Sequence, residues 1–152
     1  QLDNEVCMPF IPLQEILFRK SGVVRKETRV LFPGYVFVES ELSGQLFLRL
    51  MNPLINSISD MVSILKYSET EIAMRESERR MLLGLYNNDY CIESSYGIMK
   101  GERIHITEGP LKGLESIVKK VNRHKRQAWI EIEIMGDIRL VCVALDVVEK
   151  KK

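Results

Sequence analysis

Histidine, cysteine and tryptophan are scarce in this chain of 152 residues, which has two, three and one of them. Cys7, Cys91 and Cys142 are scattered, lack metal-ligand spacing and cannot all pair, so they read as reduced thiols of a cytoplasmic protein. No phosphate-cradling glycine loop and no nucleophile elbow occurs. The sequence therefore points to no enzyme, no cofactor and no small-molecule substrate. No apolar run is long enough to cross a bilayer and no signal peptide is visible, which argues against a membrane partner. Internal repeats are missing, as is low complexity apart from Lys150-Lys151-Lys152.

What is present is a hydrophobic content of 45%, enough for a packed core. The formal net charge of +1 conceals an asymmetry. Residues 1–97 carry 10 basic and 13 acidic side chains, whereas residues 98–152 carry 12 basic and 8 acidic. Within 100–126 the balance sharpens to 8 against 3. A polyanion is the natural partner of that second part.

Residues 14–19 and 29–39 read as strands, with Arg19-Lys20-Ser21-Gly22 as a turn. Ser43 is placed to cap a helix through about Met51, with Asn52-Pro53 expected to stop it. Val62, Ile64 and Leu65 suggest another strand. Ser68-Glu69-Thr70-Glu71 has capping-box spacing for a helix running to about Tyr86, and Asn87-Asn88-Asp89 breaks it. The Glu76/Glu78 and Arg79/Arg80 run reads as surface charge. Beyond a polar stretch at 88–97 the period becomes two. Ala128, Ile130, Ile132 and Ile134 share one face, Trp129, Glu131 and Glu133 the other, and Gly136-Asp137 turns into a returning strand over 138–145. Gly109-Pro110 and Gly113 mark a sharp corner after the Ile104/Ile106 strand. These patterns give a mixed α+β first part followed by a small β-barrel.

Two stretches carry a resemblance. Phe32-Pro33-Gly34-Tyr35-Val36-Phe37-Val38 resembles the core strand of the NGN domain, and residues 101–121 with Gly136 and 140–148 resemble the KOW domain of the NusG family of transcription elongation factors. The implied fold is α+β: an NGN-type antiparallel sheet with flanking helices, then an SH3-like KOW β-barrel. The implied organisation is an NGN-like domain over 1–87, a linker over 88–97 and a KOW domain over 98–152. Gly109–Glu115, Lys119–Arg126 and Ile134–Arg139 are most similar to LoaP, the specialised antiterminators of long biosynthetic operons. Two departures stand out. The aromatic strand and helix that normally open an NGN domain do not precede Gln1, so earlier residues are expected, and Ser116 replaces a glycine of the KOW motif.

The resemblance implies binding of the RNA polymerase clamp helices through Phe32, Tyr35 and Phe37. By residue type alone, Tyr35 and Phe37 equally suit a core, two apart on one face of a strand. Lys112, Lys119, Lys120, Arg123, His124, Lys125 and Arg126 are candidates for nascent RNA, a hairpin being one form it could take, with a solvated turn as the plain alternative. Trp129 is placed outward, either on the basic loop or under an unpaired base. Arg19, Lys20, Arg25 and Lys26 flank a hairpin tip at 19–26 that the resemblance sets near DNA, while His105 reads as solvated. The implied activity is processive antitermination. The competing readings are a housekeeping NusG whose barrel binds a termination factor or the ribosome, and a ribosome-associated KOW protein.

Overall fold

The computed structural model describes residues 7–58 and 63–149. The first half begins with β1 (Cys7–Phe10), β2 (Leu13–Lys20), β3 (Val23–Val30) and β4 (Phe37–Ser40). Strands β2 and β3 form a hairpin with Lys20 opposite Val23. Its two-residue turn has positive φ at both Ser21 (53°) and Gly22 (78°), which matches the twist of the flanking strands. β1 pairs antiparallel with β4 in a separate ribbon.

The expected single strand over 29–39 is corrected to two strands with a turn between them. Gly34 sits at φ 88° and the Tyr35 N–H donates to the Phe32 carbonyl at 3.2 Å. A Pro-Gly pair fixes one φ and permits the next, so turn chemistry overrides the apolar run around it.

Helix α1 (Gly44–Ser57) starts where expected, the Ser43 side chain accepting from the Leu46 N–H. It does not stop at Met51. Pro53 lies inside, and the helix continues because Met51 and Ile55 are both buried on its inner face. Helix α2 (Glu76–Leu85) starts eight residues later than the Ser68 signal, with Arg75 at its N-cap. The Ser68 hydroxyl instead accepts from the Thr70 and Glu71 N–H groups in a closed turn. That turn delivers buried Ile72 to α1, where a Cβ on Gly44 would lie 3.2 Å from the Ile72 Cβ. Of the strand expected over 62–65, Val62 is outside the described residues and residues 63–66 are irregular. After α2, the Asn87 side-chain oxygen accepts from the Asp89 and Cys91 N–H groups. Strand β5 (Cys91–Ile92) then adds in parallel to β2.

The second half is a curled five-stranded sheet of β6 (Ser95–Lys100), β7 (Arg103–Glu108), β8 (Val118–Asn122), β9 (Gln127–Ile134) and β10 (Asp137–Glu149), in the order β7-β6-β10-β9-β8. The period-two reading holds. Ala128, Ile130, Ile132 and Ile134 are buried, while Trp129 and Glu131 are half-buried and Glu133 is exposed. Long β10 pairs antiparallel with β9 over its first eight residues and parallel with β6 over its last five, which curls the sheet. Gly109, at φ 95°, is irreplaceable on space alone: a Cβ there would stand 2.6 Å from the Ser94 carbonyl oxygen. Ser116 lies in a 3₁₀ turn and is not among the positive-φ residues, so no glycine is needed there.

One core runs through both halves, joining Leu31, Phe32, Leu82 and Leu85 to Ile106, Leu111, Ile130 and Leu145. Burial of Leu82 and Leu85 contributes roughly 2 kcal/mol each. Residues 88–97, read as a linker, hold β5 and the buried Ser94 and Ser95. The Ser94 N–H and hydroxyl donate to Glu15 at 2.7 and 3.0 Å, and the Leu111 N–H donates to the Ser95 hydroxyl at 3.0 Å.

The surface-charge reading of α2 is right for Glu76, which pairs with Arg79 and Arg80, and wrong for Glu78. Glu78 is 3% exposed. Its carboxylate accepts from the Met135 and Gly136 N–H groups at 3.0 and 2.9 Å and from the Tyr67 hydroxyl. Met135 and Gly136 form the positive-φ turn between β9 and β10, so α2 holds the barrel by that turn.

Candidate functional site

The three aromatics proposed as one patch occupy three environments. Phe32 is 7% exposed and belongs to the core. Phe37 opens β4, half-buried, stacked on Phe32 at 5.5 Å and tilted against Phe10 at 5.7 Å. Tyr35 lies on the turn before β4, not on the same strand as Phe37, and is 37% exposed. The Arg139 guanidinium of β10 sits 5.3 Å from its ring centroid. Sequence reasoning missed the rest of the aromatic cluster: Phe10 stacks on Tyr90 at 4.0 Å, with Tyr86 edge-on to both. Burial, reinforced by Glu39 and Tyr90, pushes the Tyr86 hydroxyl up to about 12. Burial and the Glu78 partner do the same for Tyr67.

The cationic candidates divide just as clearly. Arg123, His124 and Lys125 are exposed on the turn joining β8 to β9, which the Asn122 side chain closes by accepting from the Lys125 N–H at 3.0 Å. Arg126, at φ 55°, is folded back: its side chain is 18% exposed and lies 3.7 Å from the Asp146 carboxylate. Lys119 is held by Glu131 at 3.4 Å and by the Ser116 carbonyl. Lys120 is exposed opposite half-buried Trp129 across the β8–β9 pair. Lys112 is exposed on the Gly109–Gly113 corner, before β8 rather than after it. Among the described residues, Lys112, Lys120, Arg123 and Lys125 have no ion-pair partner.

At the β2–β3 tip, Arg19, Lys20, Arg25 and Lys26 are exposed, but the pairing register places Arg19 and Lys26 on the opposite face from Lys20 and Arg25. The Lys26 ammonium lies 6.0 Å from the Tyr96 ring centroid, and Tyr96 above all holds its pKa above the ordinary lysine range. His105 is exposed, as expected. The three cysteines are free thiols, and burial raises the pKa of both Cys91 and Cys142. Among the described residues, no group of three potential ligands could hold a metal ion, and no helix is long and apolar enough to cross a membrane.

These elements define an α+β protein, an NGN-type sheet with helices followed by a small KOW-type barrel. No family model matches the chain. It is 24% identical over 153 residues to the transcription termination/antitermination protein NusG of Pasteurella multocida, covering 99% of this chain and 80% of that one. The same identity and coverage hold for NusG of Haemophilus influenzae over 156 residues. NusG of Campylobacter jejuni is 24% identical over 140 residues, or 92% and 76% of the two chains. The similarity to these NusG proteins runs over nearly the whole length of this chain.

Proposed function

We propose that this chain is a transcription elongation factor of the specialised antiterminator kind, docking on RNA polymerase with its first half and holding nascent RNA with its barrel. Near-full-length similarity to proteins named for transcription termination and antitermination supports the elongation role. The RNA role is carried by one observation: exposed Arg123 and Lys125 lack carboxylate partners at the end of a barrel whose neighbouring cations, Lys119 and Arg126, are paired. Tyr35, 37% exposed, is the aromatic side chain we assign to polymerase contact, while Phe37 is half-buried and stacked on core Phe32. Such a factor performs no chemistry. Tighter binding to the processive state of polymerase than to the paused state shifts the equilibrium by that difference in affinity.

The test is binding of a labelled RNA hairpin across a salt series. Four phosphate contacts, from Lys112, Lys120, Arg123 and Lys125, give a log–log slope of roughly −3. No binding at low salt would leave the RNA role without foundation.

A second reading, a general NusG factor whose barrel takes protein partners, draws on the outer face of β10. There Ile138 and Leu140 are 69% and 61% exposed.

A further inference from the structure

The first half and the barrel are joined in three places. At the chain connection, β5 ends at Ile92 and β6 begins at Ser95, so only Glu93 and Ser94 lie between them. Both are tied to the first half. Glu93 accepts from the Asn87 side-chain amide at 2.9 Å, and buried Ser94 donates its N–H and hydroxyl to Glu15 of β2. In the middle, Leu31, Phe32, Leu82 and Leu85 share one buried cluster with Ile130 and Val143 of the barrel. There β10 lies against β2, and α2 against β9. At the far end, Glu78 of α2 accepts from the Met135 and Gly136 N–H groups of the β9–β10 turn. A Cβ on Gly136 would lie 3.4 Å from the Tyr67 ring, so the turn is also packed against the first half.

Two connecting residues span at most about 7 Å when fully extended. On so short a tether the halves cannot part unless β5 leaves β2 or β6 leaves β10. Parting would also return the shared apolar cluster to water and strip Glu78 of its backbone donors. Domains of one chain move against each other by default unless their interface is large and hydrophobic. This interface is apolar at its centre and hydrogen-bonded at both ends. We infer that the two halves work as one closed body, which meets RNA polymerase and RNA without an opening step. The cationic turn at 123–125 and the Tyr35 side then keep a fixed relation, so a ligand held at one end sets where the other end points. The inference goes beyond the proposed function, whose two contacts could be made as well by freely tethered domains.

The full chain carries a separate probe in each half. Among the described residues both α-helices lie in the first half, and the one tryptophan, Trp129, lies in the barrel. Urea unfolding of the wild type, followed by helical circular dichroism and by Trp129 fluorescence, is expected to give coincident transitions. Leu82→Ala, in the first half, is expected to lower the Trp129 midpoint as far as the helical one, by about 1–2 M. Val143→Ala, in the barrel, is expected to lower the helical midpoint in the same way, by less because fewer atoms are removed. Two separate wild-type transitions, or a Trp129 midpoint that Leu82→Ala leaves within about 0.2 M of wild type, would overturn the inference. Hydrogen exchange of the wild type keeps the test open should either variant fail to fold. The Met135 and Gly136 N–H groups are expected to be protected in the free chain and to stay protected on core RNA polymerase. Exchange of these two at the rate of open amides, free or in the complex, would mean that the halves part and would overturn the inference. A chain that did not bind polymerase would overturn the docking reading alone, with the unfolding and free-chain exchange still deciding whether the body is closed.

Discussion

The aromatic side chains of the first half and the cations of the barrel's β8–β9 end meet opposite fates. Phe10, Phe32, Phe37, Tyr86 and Tyr90 stack on one another, and Tyr35 alone of the proposed docking aromatics keeps a substantial exposed face. At the barrel end the reverse holds: Arg123, His124 and Lys125 stay in water while only Arg126 folds inward onto Asp146. Burial of an apolar ring is favourable wherever a neighbour exists, so aromatics are consumed by the fold unless geometry holds them apart. A charge is left outside unless a partner offsets its desolvation, so cations remain available by default. A basic cluster in sequence therefore reports a surface more faithfully than an aromatic one.

The sharpest way to break this contrast is to remove the contact that joins its two regions. Glu78→Ala strands the Met135 and Gly136 N–H groups in a part-buried site, and each unsatisfied donor costs about 1–3 kcal/mol. Urea denaturation is expected to show a loss of about 4 kcal/mol, with Glu78→Gln losing about half as much because its amide oxygen still accepts one bond. A loss below 1 kcal/mol for the alanine variant would mean that α2 does not hold the β9–β10 turn. Next in size is the pair Phe32→Ala and Tyr35→Ala. The first empties a core site and is expected to cost about 3–4 kcal/mol. The second is expected to change stability by less than about 1 kcal/mol while weakening polymerase binding, since its ring is exposed. Equal stability losses would erase the distinction between consumed and presented aromatics.

Much of the barrel was legible because alternation over 128–134 has one solution: a single-residue slip would turn every isoleucine outward. The Ser21-Gly22 turn lay within the turn expected there, the turn expected at Gly136-Asp137 fell one residue earlier at Met135-Gly136, and the Ser43 cap was found at the right residue. The errors lie where a local signal competed with tertiary packing. Ser68 made the side-chain bonds of a helix start, yet burial of Ile72 against α1 diverted the chain into a turn. Pro53 lacks the N–H that should end a helix, but buried Met51 and Ile55 carried α1 past it. Glu78 carried no sequence signal, because two of its three partners are backbone groups 57 and 58 residues away and the third is the Tyr67 hydroxyl. The same holds for Arg139, whose guanidinium meets the Tyr35 ring only when β10 is laid beside the 30–35 segment.

The finest test of the contrast lies within the cationic turn itself, where four consecutive residues look alike in sequence. Arg123→Gln with Lys125→Gln removes two exposed charges, and every phosphate left without its cation lowers the salt slope of RNA binding by about one. The double variant is therefore expected to flatten the slope by about two, with stability within about 0.5 kcal/mol of wild type. Arg126→Gln removes the same charge from the same turn but touches Asp146 rather than solvent. Its slope is expected to match wild type, and the small cost falls on stability, at most about 1 kcal/mol for a partly exposed pair at 3.7 Å. If Arg126→Gln instead flattened the slope as much as either exposed substitution, the ligand would have to pull Arg126 away from Asp146. Orientation in the free protein would then no longer decide which cations of the turn meet RNA.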